Sequence, residues 1–578
     1  MWNTEAPPSC ALPFPNHSDA TTKGYNLAYG QARRCRLAAV QTVRFRTCML
    51  TPKMRMNETD GAGRAYLFVT VFIAGMSTLA VEFTTSRMMQ TVYGTSNIVW
   101  ANVIGLVLFF LTVGYFLGGW LADRRPQTST FYTVVAAAGF SAVFFQLLTS
   151  VLLRGASAAM AGLEVGAIAG SLVGVFFTLA IPMTLLGCIS PFAIRLAVRD
   201  VGEAGRISGR VYAISTWGSL LGTYLPVLLV IPLAGSRMTA AIFGVLLLLT
   251  GLFGLWQAHR QRALLGSLLL LLLLPVTWLW TRGTVKAYEG QLFETESAYN
   301  YVQVVRQGDC NFLLLNEGQA YHSYYCDGGR VPRVSVWSIM LAAPYFNENP
   351  GPVKKLAVIG LAAGTIPTQF LTVFDSLSVD GIELDPAIVQ AGRDYFALDD
   401  EAIQVRIGDG RYELNRLPGD YDVITIDAYK VPYIPWHLTT REFFGEVRAK
   451  LAPDGVVAVN VGRAPEDRRL VEAMVATLMQ VFPTVHAIDV PGALNTILVA
   501  TMQETSAENL NQNLSALAPD ADPLLRSVLE TAVASQVPAA AGEVVFTDDR
   551  APVETIIDSL VLRFLLREGP GELPGLGV

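Results

Sequence analysis

Lys355-Leu-Ala-Val-Ile-Gly360-Leu-Ala-Ala-Gly364 is an apolar run that breaks into a glycine-bearing turn. Three similar runs follow. Leu377-Ser-Val-Asp-Gly-Ile-Glu383 leads to Leu384-Asp385, Val405-Arg-Ile leads to Gly408-Asp409-Gly410, and Tyr421-Asp-Val-Ile-Thr-Ile leads to Asp427. Each run is short enough for a buried strand and ends in an acidic residue or a glycine. The spacing predicts strands at 355–360, 377–383, 403–407, 421–426 and 455–461, with helices at 365–373, 386–396 and 439–451. A helix at 466–481 and strands at 484–489 and 496–501 complete the pattern. Strands alternating with helices imply a parallel sheet with right-handed crossovers. Ligands bind beyond the carboxyl ends of such strands.

Working outward, Tyr299-Asn300-Tyr-Val-Gln-Val-Val305 alternates as a half-buried strand does. Residues 285–330 therefore read as a small antiparallel sheet, followed by a helix at 334–346. Upstream, seven apolar segments at about 65–83, 98–121, 131–153, 166–187, 210–232, 238–257 and 263–281 each approach the length needed to cross a bilayer. Residues 1–62 form a polar, arginine-bearing tail without a signal-peptide core, read as a disordered extension or an overlong gene start with Met56 as the alternative. Residues 506–578 read as a mostly helical, alanine-rich extension. The fold class expected is a multi-pass α-helical membrane domain (63–282), a small β-rich subdomain (283–350) and an α/β Rossmann-like domain (351–505).

Composition agrees with that division. An apolar fraction of 52% with 16% charged residues in 578 residues is unusual for a soluble enzyme and ordinary for a chain that is half membrane helix. The net charge of −6, with no basic patch interleaved with aromatics, argues against a nucleic-acid partner. The six cysteines include no CxxC pair and no Cys/His cluster at ligand spacing. No structural metal and no disulfide framework is expected; Cys310 and Cys326 could pair, but free thiols in a reducing compartment are the reading favoured. Glu82, near the end of the first apolar segment, is expected to pair locally with Arg87.

Orientation is contested within the sequence. Arginines gather at Arg124 and Arg125, at Arg195, Arg199, Arg206 and Arg210, and at Arg260 and Arg262. The positive-inside rule puts these connections in the cytosol. Seven crossings then leave the C-terminal half outside, whereas a cosubstrate made in the cytosol asks for the reverse. The catalytic half is expected to be cytosolic, at a bacterial inner membrane, with a miscount in 165–200 as the suspected source of the conflict.

Gly360 and Gly364 frame the first turn, where the backbone can approach a ligand and the following helix offers free N–H groups. Glu383 stands where such folds place a carboxylate on ribose hydroxyls. Asp409 and Gly410 end the third strand, with Asp409 facing an adenine amine. Asp427 ends the fourth, at the centre of the cleft. Four such positions in order point to an adenosine-type ligand, and no GxxxxGK[ST] phosphate loop follows any strand. The ligand inferred is S-adenosylmethionine or its decarboxylated form, whose sulfonium needs no metal to activate it. An amine nucleophile has a solution pKa near 10 and must first lose a proton, and Asp427 is the expected base. The alternatives are that Asp427 stabilises the sulfonium or caps its loop. Tyr429, Tyr433, Trp436 and His437 follow on a proline-stiffened loop, where the aromatics would wall the substrate site and His437 more often packs or caps. His322 lies near Gln319, in a loop placed to cover the ligand.

At these residues the chain resembles the spermidine synthases, over roughly 296–461. Glu296-Ser-Ala-Tyr299-Asn300, the Gly360 turn, Gly-Ile-Glu383-Leu-Asp385, Gly408-Asp409-Gly410 and Tyr-Asp-Val-Ile-Thr-Ile-Asp427 carry the likeness. Asp427-Ala-Tyr, Ile434-Pro-Trp-His437-Leu, Tyr212-Ala-Ile-Ser-Thr216-Trp-Gly218 and Thr-Asp-Asp549-Arg-Ala-Pro-Val-Glu554 are similar to the membrane-fused bacterial branch of that family. The resemblance implies aminopropyl transfer from decarboxylated S-adenosylmethionine to a diamine with release of 5′-methylthioadenosine. It also implies Glu383 on ribose, Asp409 at adenine and Asp427 as base. Together with the reading of the residues, the site expected has Gly360, Gly364, Glu383, Asp409, Gly410 and Asn300 on the nucleoside, Asp427 as the catalytic group, and Gln319, Tyr429, Tyr433, Trp436 and His437 on the substrate. Two departures stand out. The family's GGGDGG turn has lost its aspartate here, and its DSSD segment reads Asp427-Ala-Tyr-Lys430, with a cation in place of the second carboxylate. The nucleoside half is kept and the amine half is eroded. That erosion favours a different acceptor, or an intramolecular reaction in which the methionine carboxylate attacks its own chain. A methyltransferase, and a nucleoside- or polyamine-binding sensor or transporter, are the competing readings. The partners expected are a small amine or none, the lipid bilayer, no nucleic acid, and a possible second copy of the chain.

Overall fold

The computed structural model describes residues 61–93, 97–160, 166–282, 288–316, 320–331, 334–398, 401–429 and 433–568. Residues 1–60 of the tail expected at 1–62, Gln319 and Lys430 lie outside the described residues, and Gly61 and Ala62 begin the first helix. Among the described residues, six continuous helical segments are long and apolar enough to cross a bilayer. The helices are α1 (Gly61–Tyr93), α2 (Asn97–Arg124), α3 (Thr128–Met160), α4 (Gly166–Ala197), α5 (Ala204–Leu225), α6 (Ile231–Ala258) and α7 (Arg260–Arg282). Small residues set how closely they pack: a Cβ at Gly114 would lie 2.3 Å from the Thr184 carbonyl oxygen, and one at Gly218 2.1 Å from that of Phe72. Such approaches replace the missing hydrophobic drive between helices in lipid.

The fifth segment, Val201–Ala258, is 58 residues long. A straight helix of that length would measure about 87 Å, several times the need of a bilayer of about 30 Å. It is not straight. Gly235 has φ 76° and ψ 166°, a conformation essentially reserved for glycine. Before it, α5 runs parallel to α1, with Gly218 against Phe72 and Gly222 against Met76. After it, α6 runs antiparallel to α1: the Ser77 hydroxyl donates to Phe243 O at 3.2 Å and the Tyr66 hydroxyl to Thr250 O at 2.6 Å. Helices α5 and α6 therefore run in opposite directions on either side of Gly235, so the described helices α1–α7 are seven where the candidate spans are six. The stretch suspected of hiding a miscount is one helix, α4, with Pro182 and Pro191 inside it.

Four antiparallel strands come next: β1 (Gln291–Glu296), β2 (Tyr301–Gln307), β3 (Cys310–Leu315) and β4 (Tyr321–Cys326), in spatial order 1-2-3-4. The cysteines correct an expectation. Cys310 and Cys326 stand directly opposite each other on β3 and β4 and form a disulfide. Read alone, a 16-residue separation did not reveal that the strands pair in a register that brings the thiols together. The predicted helix at 334–346 is also shorter. It is α-helical at Val336–Ile339 and then tightens to a 3₁₀ turn over Met340–Phe346, where Pro344 withholds a backbone donor.

The main sheet contains β5 (Lys355–Ile359), β6 (Ser378–Glu383), β7 (Ile403–Ile407), β8 (Tyr421–Ile426), β9 (Leu451–Gly462), β10 (Thr484–Asp489), β11 (Asn495–Thr501) and β12 (Gln536–Val537). Its order is β12-β10-β11-β9-β8-β5-β6-β7. The five strands from β9 to β7 are parallel, and β11, β10 and β12 are antiparallel. Both faces of the sheet are covered. Phe443, Phe444 and Met474 pack on one face, and Phe346, Phe370 and Leu529 on the other. The carboxyl-terminal extension, read as mostly helical, holds the helices Ala507–Ser515, Pro523–Ala534 and Val553–Glu568. Residues between the last two of these lack helix, contribute β12 and bury Phe546 in the core. Strand order reverses between β5 and β8, and that is where an open parallel sheet leaves a crevice.

Candidate active site

The crevice is a cleft of about 660 Å³, within the usual range for a small-molecule site. Gly360, Glu383, Asp409, Gly410, Asp427, Tyr429, His437 and Asn300 line it, so most of the predicted residues are brought together. Its far end reaches the membrane helices at Phe83, Arg87, Trp100 and Val227.

The first turn closes on itself. Gly360 N and Leu361 N donate to Ile382 O, Ala362 N to Glu383 at 2.9 Å, Ala363 N to the Ser323 hydroxyl at 3.0 Å, and Gly364 N to Leu361 O. The amides of residues 360–364 are therefore already bonded, and only those of the helix that begins at Thr365 remain to face a ligand. Gly360 serves a different need. Its φ is 87°, and a Cβ there would lie 2.4 Å from the Asp427 carbonyl oxygen.

Glu383 ends β6 with Oε2 held by Ala362 N and Oε1 by Asp385 N at 3.0 Å. Burial pushes its pKa up to about 7, against the pull of those amides. Asp385 caps the helix Pro386–Tyr395 through Ala387 N and accepts from the Ser297 hydroxyl at 2.6 Å and from Asn300 Nδ2 at 2.9 Å. Asn300 thus positions Asp385 while lining the cleft.

Asp409 has a role that the sequence reading missed. A short helix, Gly410–Arg416, follows it, and Asp409 is its N-cap, with Oδ1 accepting from Arg411 N and Tyr412 N at 3.1 and 3.0 Å. Its Oδ2 lies 2.8 Å from His437 Nε2. The two cap amides and His437 outweigh its burial and hold its pKa below the usual value. His437 therefore pairs with a carboxylate in the cleft wall.

Asp427 Oδ2 accepts from Trp337 Nε1 at 2.9 Å and Oδ1 from Asn460 Nδ2 at 2.8 Å. Asn495 Nδ2 donates to Asn460 Oδ1 at 2.9 Å, which turns the Asn460 amide nitrogen toward Asp427. Burial pushes the pKa of Asp427 up to about 6, and the two donated bonds oppose that rise. Neither Trp337 nor Asn460 was singled out in sequence. Asn460 had left a signal, as the one polar side chain in the run Val456-Val-Ala-Val-Asn460-Val. Replacing Trp337 by Phe keeps the bulk but removes a donor that favours the carboxylate. The acid limb of the rate profile should then move up from about pH 6 by roughly one unit, the equivalent of a hydrogen bond worth about 1.4 kcal/mol. A pH profile of kcat/KM with an unmoved acid limb would show that the limb does not report Asp427.

Of the predicted aromatic wall, Tyr429 lines the cleft and Tyr433 and Trp436 do not. The Tyr429 hydroxyl donates to Asn460 O at 3.1 Å and accepts from Gly462 N at 2.8 Å, so it ties the loop to β9 even though its ring lines the cleft. Tyr433 is buried in the core, with its hydroxyl on Asp558 of the last helix. Trp436 is 45% exposed and is not among the lining residues. The loop's aromatic residues look alike in sequence, and only the docking of the carboxyl-terminal segment decides which turn inward. His322 does line the cleft. Its Nε2 is buried without a partner among the described residues, and burial pushes its pKa down to about 4, so the ring is neutral and free to bond a ligand.

The corner between β1 and β2 joins this site to the membrane helices. Arg87 Nε donates to Glu296 at 3.1 Å and its Nη1 to Ala298 O at 2.8 Å. Ser236 N donates to the same Glu296 at 2.8 Å. Arg87 is therefore paired with Glu296 rather than with Glu82, as had been expected. Five residues along a helix, the two side chains sit about 140° apart.

Residues 346–513 match the spermine/spermidine synthase domain family. They are a spermine/spermidine synthase domain. The synthase domain has relatives beyond that match. The chain is 30% identical over 306 residues to a probable polyamine aminopropyl transferase of Bifidobacterium longum, covering 49% of this chain and 64% of that protein. It is 26% identical over 449 residues to polyamine aminopropyltransferase 2 of Streptomyces coelicolor, covering 72% of this chain and 76% of that one. The chain thus spans a little under two thirds of the Bifidobacterium relative. Among solved structures, a probable spermidine synthase of Corynebacterium glutamicum aligns with 20% identity and a TM-score of 0.35, over 43% of this chain and 95% of that one.

Proposed function

We propose that the synthase domain binds S-adenosylmethionine or its decarboxylated form and releases 5′-methylthioadenosine, with Asp427 as the base. The observation that carries this reading is Asp427 itself: a carboxylate at the reversal of strand order, its pKa raised to about 6, in one cleft with Glu383. A base near that value is ionised at neutral pH yet can still take a proton. The cleft fits a nucleoside in three respects. Glu383 ends β6, where ribose hydroxyls are bound in such sheets. The amides of residues 360–364 are already bonded to the protein, which suits a ligand without phosphate at that turn. The neutral His322 leaves a polar atom to be satisfied.

The donor supplies a sulfonium leaving group. Asp427 would accept the proton of an acceptor amine. The amine nitrogen forms a bond to the aminopropyl carbon next to sulfur, the carbon–sulfur bond breaks, and its electron pair neutralises the sulfur as a thioether. Wrapping the reacting atoms in a cleft away from bulk water protects the donor from hydrolysis. The protein would do this as a multi-pass protein of the bacterial plasma membrane, which the length and composition of its apolar helices support.

The acceptor end favours a second reading alongside the first. Among the described lining residues the carboxylates are Glu383, Asp409 and Asp427. One is placed for ribose, one is fixed as a cap against His437, and one is the base. None is left for the far ammonium of a diamine, which favours a monoamine acceptor or the intramolecular route. Product analysis decides. The full chain in nanodiscs is given S-adenosylmethionine or the decarboxylated donor, with and without putrescine. Methylthioadenosine is the expected nucleoside. Its release from S-adenosylmethionine alone selects the intramolecular route, and a requirement for both amine and decarboxylated donor selects transfer. S-adenosylhomocysteine would overturn the proposal in favour of a methyltransferase.

A further inference from the structure

We infer that the catalytic half of this chain lies on the non-cytosolic side of its membrane, contrary to what a cytosolic cosubstrate alone suggests. Two independent features lead there, and neither depends on which reaction the cleft performs.

The first is the distribution of arginines over the two ends of the helix bundle, now that the direction of each helix is fixed by packing. The turn at Gly235 makes α6 antiparallel to α1. Helix α7 then packs back on α6, with Arg237 Nη1 donating to Trp280 O at 3.3 Å and Gly266 against Leu252. The last membrane helix consequently ends at the same face as the end of α1, and there Arg87 and Ser236 grip Glu296. The α2–α3, α4–α5 and α6–α7 connections lie at the opposite face. So does the start of α1, whose Arg64 donates to Ala197 O at 2.9 Å at the end of α4. That opposite face carries Arg124 and Arg125, then Arg195, Arg199, Arg206 and Arg210, then Arg260 and Arg262. The catalytic face has Arg87, Arg154, Arg237 and Arg282 within its helices. Of these, Arg87 is held by Glu296 and Arg237 lies over the Trp280 ring. Short connections rich in Lys and Arg stay in the cytosol, and acidic neighbours such as Asp123 and Glu203 do little to offset them. The arginine-bearing face is then the cytosolic one and the catalytic face is the outer one.

The second is the Cys310–Cys326 disulfide between β3 and β4. Both cysteines are buried in the small sheet next to the cleft. Such bonds persist in oxidising compartments and are reduced in the cytosol. The disulfide and the charge bias rest on different chemistry and give the same side.

The inference has a consequence for the reaction order, which rests on the reading under Proposed function. A sulfonium nucleoside is a permanent cation and does not cross a bilayer unaided. The step that supplies this cleft is then a transport step that delivers the cationic nucleoside to the outer face, and methylthioadenosine is released on that face.

The test uses the full chain with a reporter fused after Val578, alkaline phosphatase in one strain and green fluorescent protein in another. Alkaline phosphatase folds only outside the cytosol, and the fluorescent protein, when exported unfolded, stays dark. We expect phosphatase activity at least tenfold above, and fluorescence at least tenfold below, those of the same reporters fused to a cytosolic protein. In the same cells Cys310 and Cys326 should resist a maleimide until a reductant is added. A fluorescent fusion with inactive phosphatase overturns the inference, as do thiols that react without reduction. Failure of the proposed reaction is seen separately, as absence of methylthioadenosine from the solubilised chain, and leaves the reporter result standing.

Discussion

Replacing Asp427 by Asn is expected to lower kcat by about 10²–10⁴-fold, the usual contribution of a positioned base, while nucleoside binding changes little. The isostere is not silent in the fold. Trp337 and Asn460 both donate to the carboxylate. A carboxamide can accept from only one of them and faces the other with its own donor. A loss of stability of about 1–3 kcal/mol should accompany the catalytic loss. A double variant separates the two effects. Asp427→Asn with Asn460→Asp restores matched donors and acceptors across the pair but moves the carboxylate to β9. Stability should return toward the parent and kcat should not. Thermal unfolding together with methylthioadenosine release reads both. If the double variant regains activity, the position of the charge is unimportant and Asp427 is not the base.

Gly360→Ala should be the most damaging single-methyl change in the synthase domain. The new Cβ would lie 2.4 Å from the Asp427 carbonyl oxygen, at a residue with φ of 87°. The backbone conformation alone costs an L-residue about 1–2 kcal/mol. The overlap is with main chain, which cannot swing away as a side-chain tip can, so a total of roughly 3 kcal/mol or more is expected, in the class of overpacking plus strain. Because the atom that must retreat belongs to Asp427, kcat should fall as well as stability. Gly445→Ala is the matched control. It lies in the helix Arg441–Arg448 with nothing within 4 Å of its Cβ, and the change should be neutral or stabilising by up to about 1 kcal/mol. The fraction of each variant that stays monodisperse after a temperature ramp measures the difference. Equal behaviour of the two variants would remove the steric account of the Gly360 turn.

The parallel sheet was legible because its strands carry local marks. Each apolar run is bounded by glycine or an acid within a few residues, and β5 to β9 fall close to where periodicity put them. Glu383 and Asp427 could be named because a strand end fixes where its last side chain points. The rest of the site depends on partners far away in sequence. Trp337 reaches Asp427 across 90 residues, and Tyr433 reaches Asp558 across 125. No periodicity spans such distances. The N-cap role of Asp409 was within local reach, since a Gly-Asp-Gly step before Arg-Tyr-Glu reads equally as a turn or a helix start. The cysteine pair was misjudged for a different reason. It was assigned by compartment, while its geometry follows from a strand register that only folding reveals.

The corner at residues 296–300 can be viewed as a mechanical joint. Glu296 is clasped by Arg87 and Ser236 from two different membrane helices, and Ser297 and Asn300 grip Asp385, whose amide holds Glu383. Five consecutive residues therefore connect the helix bundle directly to the Glu383 carboxylate. A tether of this kind has almost no slack. Tilting α1 against α6 must either break the grip on Glu296 or displace Glu383, so the bundle acts as the foundation on which the nucleoside site is levelled rather than as a float to which an independent enzyme is tied.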